Sequence, residues 1–310
     1  MKRIFCLLMV CLILTGCTKD TPDQRTVFAM DTVMDLQVWG KDRAAALEQA
    51  EAFLRDLENT WSVTDENSLL SALNRGEDPS MTAEHSALLQ QAEALSVRTA
   101  GAFDPKLYAV SKAWGFYGED RKVPSKTELA VAMSKNQWDM GGVLKGYAGG
   151  ALALMLAGMN VDRAILNLGG NIQTYGEKPD GQPWVIGIQN PDGGDYLGRV
   201  SVRGTMAVVS SGDYQRYFEA DGVKYHHIID PKTGYPARSG LRSVTVICRD
   251  GMTADALSTA LFVMGLGQGS AHWREHGDFE AIFVTDSGKI YATEGVKLSG
   301  CEFEVIVREQ

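Results

Sequence analysis

The stretch SSGDYQRYFEADGVKYHHIIDPKTGYPA, residues 210–237, contains the clearest strand–turn–strand pattern of this chain. Aromatic residues precede the turn Ala220-Asp221-Gly222 and alternating apolar residues follow it, which predicts a β-hairpin. The segment then brings His226 and His227 close to Asp230-Pro231 and a Thr-Gly turn. A purely structural hairpin explains the alternation but not these side chains, because unpaired polar groups cost stability unless they are satisfied or used. We therefore interpret the end of this hairpin as part of a functional site.

The rest of the chain alternates between strand-like and helix-like segments. Nine segments have the alternation or β-branched content of strands: 26–39, 163–168, 184–189, 199–210, 223–229, 242–248, 279–284, 290–293 and 302–307. Four segments have the apolar spacing of amphipathic helices: 43–59, 83–99, 146–158 and 253–264. Short turns such as Asp286-Ser287-Gly288 join several strands, which predicts largely antiparallel sheets. We therefore predict an α+β fold with helices packed on these sheets.

The composition is that of an acidic globular protein. The 310 residues are 45% hydrophobic and 8% aromatic, which is enough for a full core. Residues 1–16 contain two basic and no acidic side chains, so the remainder has 28 basic and 39 acidic residues and a net charge of −11. This acidity argues against nucleic acid as a partner. Because no linker or low-complexity segment interrupts the chain, we predict that residues 26–310 form the folded body, as one large domain or two intimate ones.

The first seventeen residues, MKRIFCLLMVCLILTGC, have the pattern of an export signal. A basic start precedes an apolar run that ends at Leu14, which is too short for a membrane span. Small residues lead directly into Cys17, as in a bacterial lipobox. We predict a lipoprotein signal peptide at residues 1–16, lipidation of Cys17 and a tether at residues 17–25; the alternative is an ordinary signal peptide with an incidental cysteine. Two acyl chains give stable anchoring, so the predicted location is the extracytoplasmic face of the cell membrane.

Cys248 and Cys301 are the cysteines of the folded body. Both adjoin apolar, strand-like runs, where buried free thiols are common. An exported protein also permits a disulfide. Their spacing is not that of a metal site, and the sequence leaves the pairing of the two thiols open.

Asp255 and Thr259 lie four residues apart in a predicted helix and therefore share one face. Two interpretations stand equally at this point. In the first, Asp255 lies in the first helical turn and is stabilised by the helix dipole. In the second, the carboxylate and the hydroxyl belong to a hard-cation site that a backbone carbonyl and a phosphate complete.

The glycine-containing turn at residues 139–142 is a candidate for phosphate binding. Asp139-Met140-Gly141-Gly142 opens a helix that carries Lys145, so backbone N–H groups and a cation can approach phosphate. The alternative is that Lys145 is a solvated helix residue. No GKS or GKT follows, which excludes an ordinary P-loop. The turn GAFDP at residues 101–105 holds an aromatic ring and a carboxylate, or is simply a loop with one buried Phe.

Five motifs together resemble the ApbE family, the FAD:protein FMN transferases. Besides the stretch 210–237, they are GAFDP at 101–105, DMGGVLKGYA at 139–148, LNLGGN at 166–171 and TADALSTALFVMG at 253–265, in the family's order. The similarity extends from about residue 28 to near the C-terminus. It implies a layered fold and the Mg²⁺-dependent transfer of FMN from FAD to a Thr hydroxyl of an exported or membrane flavoprotein, with release of AMP.

The resemblance also implies roles for individual positions. The positions that contact FAD are Met30, Trp61, Ala102, Phe103, Asp104, Asp139, Lys145 and Ile229. The positions around Mg²⁺ are Gly142, through a carbonyl, and Asp255, Ser258 and Thr259. His227 matches the histidine of the family and is the candidate general base, whereas His226 occupies a variable position and is interpreted as structural. The family often has Tyr where this chain has Trp61; either ring can stack on a flavin or adenine, and a core Trp is the alternative.

Two alternatives to the transferase remain at this stage. A FAD pyrophosphatase would use water in place of Thr and yield FMN and AMP. A flavin-binding lipoprotein would hold FAD without catalysis. The sequence leaves open the identity of the acceptor, the oligomeric state and the balance between transfer and hydrolysis. His85, His272 and His276 belong to no motif, and we interpret them as surface or packing residues.

Overall fold

The computed structural model describes residues 21–118 and 120–308. Cys17 and the predicted signal peptide lie outside the described residues. Within the described residues, no helix is both long enough and apolar enough to cross a membrane. The first strand begins at Asp23, so the predicted tether is too long: its residues 23–25 belong to the folded body.

The described residues form seven helices and fourteen strands. The helices are α1 (Arg43–Trp61), α2 (Leu69–Asn74), α3 (Ala83–Arg98), α4 (Tyr108–Ala113), α5 (Lys126–Met133), α6 (Leu144–Ala157) and α7 (Gly251–His276). The strands are β1 (Asp23–Ala29), β2 (Thr32–Gly40), β3 (Val161–Leu168), β4 (Asn171–Tyr175), β5 (Trp184–Gln189), β6 (Tyr196–Val202), β7 (Ala207–Gly212), β8 (Tyr217–Ala220), β9 (Val223–His226), β10 (Leu241–Cys248), β11 (Glu280–Thr285), β12 (Ile290–Thr293), β13 (Leu298–Ser299) and β14 (Glu304–Ile306).

The strands form one large sheet and two small ones. The large sheet has the order β1-β2-β3-β4-β7-β10-β11-β12-β14, and the small ones are β13-β6-β5 and the hairpin β8-β9. Among the described strands, β12 and β14 pair in parallel and all other neighbours pair antiparallel. The predicted α+β class with largely antiparallel sheets is therefore confirmed.

Apolar side chains cover both faces of the large sheet. On one face, α1 and α6 pack on β1–β3 through residues such as Leu54 and Leu36. On the same side, α7 packs on β7, β10 and β11, with Leu257 and Val246 in the contact. On the opposite face, Trp184 and its neighbours in the three-stranded sheet pack against the large sheet. The result is a layered arrangement of helices, large sheet and small sheet, as the family resemblance implied.

Two predicted strands are each two strands in the structure. The segment 26–39 contains the turn Met30-Asp31, whose φ angles of 52° and 56° are positive, as a tight two-residue hairpin requires. Phe28 and Val33 flank this turn and are 63% and 54% exposed. Because both are apolar, the sequence read as one continuous strand and the turn between them was missed. The segment 199–210 is likewise divided between β6 and β7.

The predicted helices are confirmed with shifted ends. The helix predicted at 253–264 continues to His276, and its predicted end coincides with a local break at Gly265, where φ is 74°. The helix predicted at 146–158 begins at Leu144. The sequence did not predict α2, α4 and α5, because six to eight residues are too few to establish a helical period.

Helices α6 and α7 touch through two glycines. A Cβ atom on Gly146 would lie 2.1 Å from the carbonyl oxygen of Gly251, and a Cβ on Gly251 would lie 2.3 Å from that of Gly146. Both neighbours are backbone atoms and cannot rotate away. The crossing therefore requires the absence of side chains at these two positions.

We expect Gly146→Ala to lower the free energy of unfolding by about 1–3 kcal/mol, the usual cost of overpacking. Gly150→Ala in the same helix is the matched control, because no atom lies within 4 Å of its added Cβ; it should be neutral or stabilise by about 0.5–1 kcal/mol. Urea denaturation of both variants measures the difference. Equal stabilities would show that the crossing tolerates a side chain.

Candidate functional site

A cavity of about 680 Å³ opens between the loops before α6, the turn after β1 and the end of β7. This volume lies within the range of small-molecule sites. Twelve of the sequence-predicted residues line it: Met30, Trp61, Ala102, Phe103, Asp104, Asp139, Gly142, Lys145, His227, Ile229, Asp255 and Thr259. Segments far apart in sequence are thus brought to one site.

Asp255 is a buried carboxylate at the base of this cavity. Its side chain is on α7, it is 5% exposed, and its Oδ2 accepts a hydrogen bond from the backbone N–H of Gly146 at 2.9 Å. Within residues 21–118 and 120–308, no basic side chain forms an ion pair with it. A buried carboxylate without a cationic partner is costly, so this corner of the cavity is suited to a metal ion.

The helix-dipole interpretation of Asp255 is wrong. The helix begins at Gly251, so Asp255 lies in its second turn, and the first turn contains no acidic residue. Asp250 is the N-cap residue, and its Oδ1 accepts a hydrogen bond from the N–H of Thr253 at 2.7 Å. The capping function therefore belongs to Asp250, and Asp255 faces the cavity.

Of the residues predicted to surround a metal, Ser258 does not line the cavity. Its hydroxyl is fully buried, donates to the carbonyl oxygen of Asp255 at 2.8 Å and lies 2.7 Å from the hydroxyl of Ser211. Ser211 in turn lies 3.3 Å from the Thr259 hydroxyl, and both of these residues line the cavity. The serine that lines this part of the cavity is therefore Ser211 and not Ser258. Alternation along β7 could have identified it, because Ser211 shares the helix-facing side with Val209.

Asp139 lies beneath the glycine-containing turn that precedes α6. Its Oδ1 accepts a hydrogen bond from the N–H of Gly141 at 3.0 Å, and its Oδ2 accepts one from the Tyr117 hydroxyl. Burial raises the pKa of Asp139 and raises that of Tyr117 well above its usual value. Lys145 projects from the first turn of α6 and donates to the Gly141 carbonyl oxygen at 3.4 Å. Tyr117 also lines the cavity and belongs to no sequence motif.

The GAFDP turn forms a further wall. The backbone N–H of Phe103 donates to the Thr99 hydroxyl at 3.2 Å, and the Phe103 ring lies under Gly142, where an added Cβ would come within 3.0 Å of it. Asp104 turns the chain by accepting a hydrogen bond from the N–H of Lys106 at 2.8 Å. A side chain at Gly142 would therefore require the Phe103 ring to shift by a few tenths of an ångström.

Three further predicted residues complete the lining. The N–H of Met30 donates to Glu58 Oε1 at 2.9 Å, which fixes the turn after β1. Trp61 is the last residue of α1, is 4% exposed and packs edge-on against His85; it is both a core residue and part of the cavity wall. Ile229 is buried and forms a β-bridge with Pro236.

His227 follows the hairpin β8-β9, which confirms the hairpin predicted for this stretch. Its Nδ1 lies 3.3 Å from the carbonyl oxygen of Arg216; since a carbonyl only accepts, Nδ1 carries the hydrogen and Nε2 keeps its lone pair. Burial, followed by the positive charge of Arg216, lowers the pKa of His227 to about 3. The imidazole is therefore neutral at pH 7 and able to accept a proton.

His226 has no free ring nitrogen. Its Nε2 donates to the Ala237 carbonyl oxygen at 2.9 Å, and its Nδ1 accepts from the N–H of Ile228 at 3.3 Å. The ring is 3% exposed and packs edge-on against Phe262. These contacts agree with the structural interpretation of His226.

A separate group of metal-type side chains lies at the end of α7. Ligand atoms of His272, Glu275 and His276 are within 4.8 Å of one another. None of these residues lines the cavity described above. Cys248 and Cys301 are both free thiols in the structure.

Comparison with known proteins identifies the family. Residues 30–283 match the model of the ApbE family. This chain belongs to the ApbE family. A curated relative from Treponema pallidum, named FAD:protein FMN transferase, is 32% identical over 88% of this chain and 87% of its own length. One from Klebsiella pneumoniae with the same name is 32% identical over 74% of this chain and 82% of its own length.

Solved ApbE structures have the same fold. The ApbE protein from Thermotoga maritima matches with a TM-score of 0.81 at 32% identity and covers 88% of this chain and 97% of its own. The flavinyl transferase ApbE from Pseudomonas stutzeri, in its apo form, matches with a TM-score of 0.76 at 28% identity, covering 91% and 95%. The cavity described above therefore lies in an ApbE fold.

Burial lowers the pKa of His226 from 6.5 to about 4, which predicts a dependence of stability on pH. In the unfolded chain His226 binds a proton below about pH 6.5, whereas the folded protein resists protonation down to about pH 4. Stability should therefore fall as the pH is lowered through this window, by up to about 3 kcal/mol. His226→Gln keeps one donor and one acceptor but does not titrate, and should lose less stability between pH 7 and 4.5. Urea denaturation at both pH values measures this, and parallel losses in the two proteins would contradict the assignment.

Proposed function

We propose that this protein transfers FMN from FAD to a Thr hydroxyl of an acceptor flavoprotein and releases AMP, with Mg²⁺ bound in the cavity. The observation that carries the proposal is a single cavity in an ApbE-family fold that combines an unpaired buried carboxylate, Asp255, with a neutral imidazole, His227. Curated relatives named FAD:protein FMN transferase support the same activity.

FAD binds in the 680 Å³ cavity, against the walls formed by the GAFDP turn, Met30 and Trp61. The glycine turn before α6 has no side chains at Gly141 and Gly142, so backbone groups can approach the pyrophosphate. Lys145 contributes a positive charge from the first turn of α6. The apolar walls suit the aromatic rings of FAD. The glycine-rich end, which carries Lys145, suits its pyrophosphate.

The residues that fit Mg²⁺ are Asp255, Thr259 and the carbonyl of Gly142. All three offer oxygen, the ligand type that Mg²⁺ prefers, and substrate phosphates normally fill part of its coordination sphere. When bound, the metal neutralises the charge of the pyrophosphate during phosphoryl transfer. We leave Ser258 out of this set, because its hydroxyl is buried, contacts the Asp255 carbonyl and Ser211, and does not line the cavity.

His227 accepts the proton of the attacking Thr at Nε2. The Thr oxygen forms a bond to the FMN phosphorus, the bond from that phosphorus to the bridging oxygen breaks, and AMP leaves with that oxygen. Since the pKa of His227 is low, the imidazolium is a strong acid and returns its proton readily to the departing phosphate. The negative charge of bound FAD raises this pKa and makes the first proton transfer easier.

We also propose that the protein is anchored to the outer side of the cell membrane by lipid on Cys17. The support is the lipobox pattern that ends at this residue. Membrane fractionation of a Cys17→Ser protein tests the anchor, and unchanged processing and membrane association would refute it.

Replacement of His227 by Ala should leave FAD affinity nearly unchanged and lower transfer roughly 10²–10⁴-fold, the usual effect of losing a positioned base. The assay incubates enzyme, FAD, Mg²⁺ and a Thr-containing acceptor, and measures fluorescence on the acceptor band and AMP release. His226→Ala is the control and should retain transfer below its unfolding temperature. AMP without labelled acceptor would indicate a pyrophosphatase, and FAD binding without either product would indicate a flavin-binding protein.

Replacement of Asp255 by Asn should nearly abolish transfer while the protein stays folded. Asn retains an oxygen for the N–H of Gly146 but removes the charge that a cation needs; Ala would also leave that N–H unpaired. EDTA should abolish wild-type transfer and Mg²⁺ should restore it. His276→Ala controls for metal at the end of α7 and should behave like the wild type. Full activity of the chelated enzyme or of Asp255→Asn would refute the metal site.

A further inference from the structure

A second cavity, of about 910 Å³, opens on the face of the large sheet opposite α1 and α6. Its floor consists of the outward side chains of β1, β2 and β3. Cross-strand pairing places them in two rows, Thr26-Asp35-Asn167 and Gln24-Gln37-Ile165. Its other wall is β5 of the three-stranded sheet. We call this cavity the sheet groove.

Strand β5 presents a free edge along the sheet groove. In the order β13-β6-β5 it is paired on one side only, and no described strand pairs with its other side. Its buried side chains point into the core, while Val185 and Gln189 are exposed. An unpaired strand edge offers N–H and C=O groups that accept an added strand. The groove therefore has the main-chain features of a site for an extended peptide.

The sheet groove is continuous with the nucleotide cavity. Five residues line both: Asn167, Gly170, Gln189, Ser210 and Gln215. Gln189 is the last residue of β5, so a peptide paired with β5 arrives at the shared boundary. Ser210 adjoins Ser211, which contacts Thr259 at 3.3 Å. The groove thus leads to the corner where the phosphate transfer is proposed.

The chemistry of the groove favours an uncharged, polar peptide. Amide side chains are the largest group of polar residues in its lining: Gln24, Gln37, Asn167, Gln189, Asn190 and Gln215. The Asp35 carboxylate accepts a hydrogen bond from the Thr26 hydroxyl at 2.7 Å, and Arg25 pairs with Glu51 at 3.0 Å. These contacts engage the charges of Asp35 and Arg25, and Asp195 adds one carboxylate to the lining. Most of the remaining polar side chains are therefore neutral amides.

Exposed apolar side chains flank the groove. Phe28 and Val33 are direct cross-strand neighbours on the same face as Thr26 and Asp35, and both are more than half exposed. On the opposite wall, Val185 and Tyr196 are 52% and 68% exposed. Apolar side chains around a polar channel are typical of surfaces that bind another protein.

We infer that the sheet groove binds an extended segment of the acceptor protein as a strand beside β5 and delivers its Thr to the nucleotide cavity. This inference rests on the proposed function, because only a protein substrate needs such a path. β5 has six residues and spans about 20 Å, which sets the length of the recognised segment at about six residues.

Val185→Arg should raise the KM for the acceptor at least tenfold, because the longer, charged side chain obstructs the groove. FAD affinity, measured by fluorescence titration, should stay unchanged. Val305→Arg is the matched control: Val305 is a strand residue that is 55% exposed and lines neither cavity. Gln37→Arg, on the groove floor, should act like Val185→Arg. Equal KM values for all variants and the wild type would refute acceptor binding in the sheet groove.

Hydrogen exchange provides a second measurement on the wild-type protein. An acceptor-derived peptide should protect amides of residues 184–189 in the presence of FAD and Mg²⁺, and a peptide with scrambled sequence should not. If wild-type protein labels the acceptor but these amides gain no protection and Val185→Arg has no effect, the groove is wrong and the transferase stands. If the wild type does not label any acceptor, the proposed function fails and the inference fails with it.

Discussion

The contact between Gly146 and Gly251 determines where the functional groups of this protein lie. Helix α6 follows the glycine turn and carries Lys145, whereas α7 carries Asp255 and Thr259. The two helices approach until backbone meets backbone, and the N–H of Gly146 then donates to Asp255 at 2.9 Å. One hydrogen bond thus joins the proposed phosphate-binding segment to the proposed metal site, and a side chain at either glycine would separate them.

Strand geometry assigns different roles to adjacent residues. On β7, Ser211 faces α7 and contacts Ser258 and Thr259, whereas Ser210 faces the other side and contacts Thr245 at 2.8 Å. At the end of β9, the ring of His226 is buried and hydrogen-bonded to the backbone, whereas His227 lines the cavity. Because successive side chains alternate between faces, a single strand end supplies both a core contact and a group for chemistry.

Most of this architecture was predictable from local pattern. The hairpin around Asp221-Gly222, the four long helices and the antiparallel sheets follow from periodicity and turn residues. Two features of the candidate site were not predictable, because they depend on contacts that only the folded structure shows. Tyr117 belongs to no motif, yet it lines the cavity and donates a hydrogen bond to Asp139. Ser258 has the right spacing for a ligand, yet its hydroxyl turns back to its own helix.

The electrostatics of the cavity support the metal ion proposed at Asp255. The chain carries a net charge of −9, and five residues with carboxyl groups line the cavity: Asp31, Glu58, Asp104, Asp139 and Asp255. An anionic pyrophosphate approaching these groups meets repulsion, which Lys145 and Arg216 offset only in part. Burial already raises the pKa of Asp139, so this carboxyl resists ionisation. Asp255 has neither a basic partner nor a hydroxyl donor on its carboxylate among the described residues. The divalent cation proposed at Asp255 would reduce this repulsion and attract the phosphate, so binding of the metal and binding of the nucleotide would depend on each other.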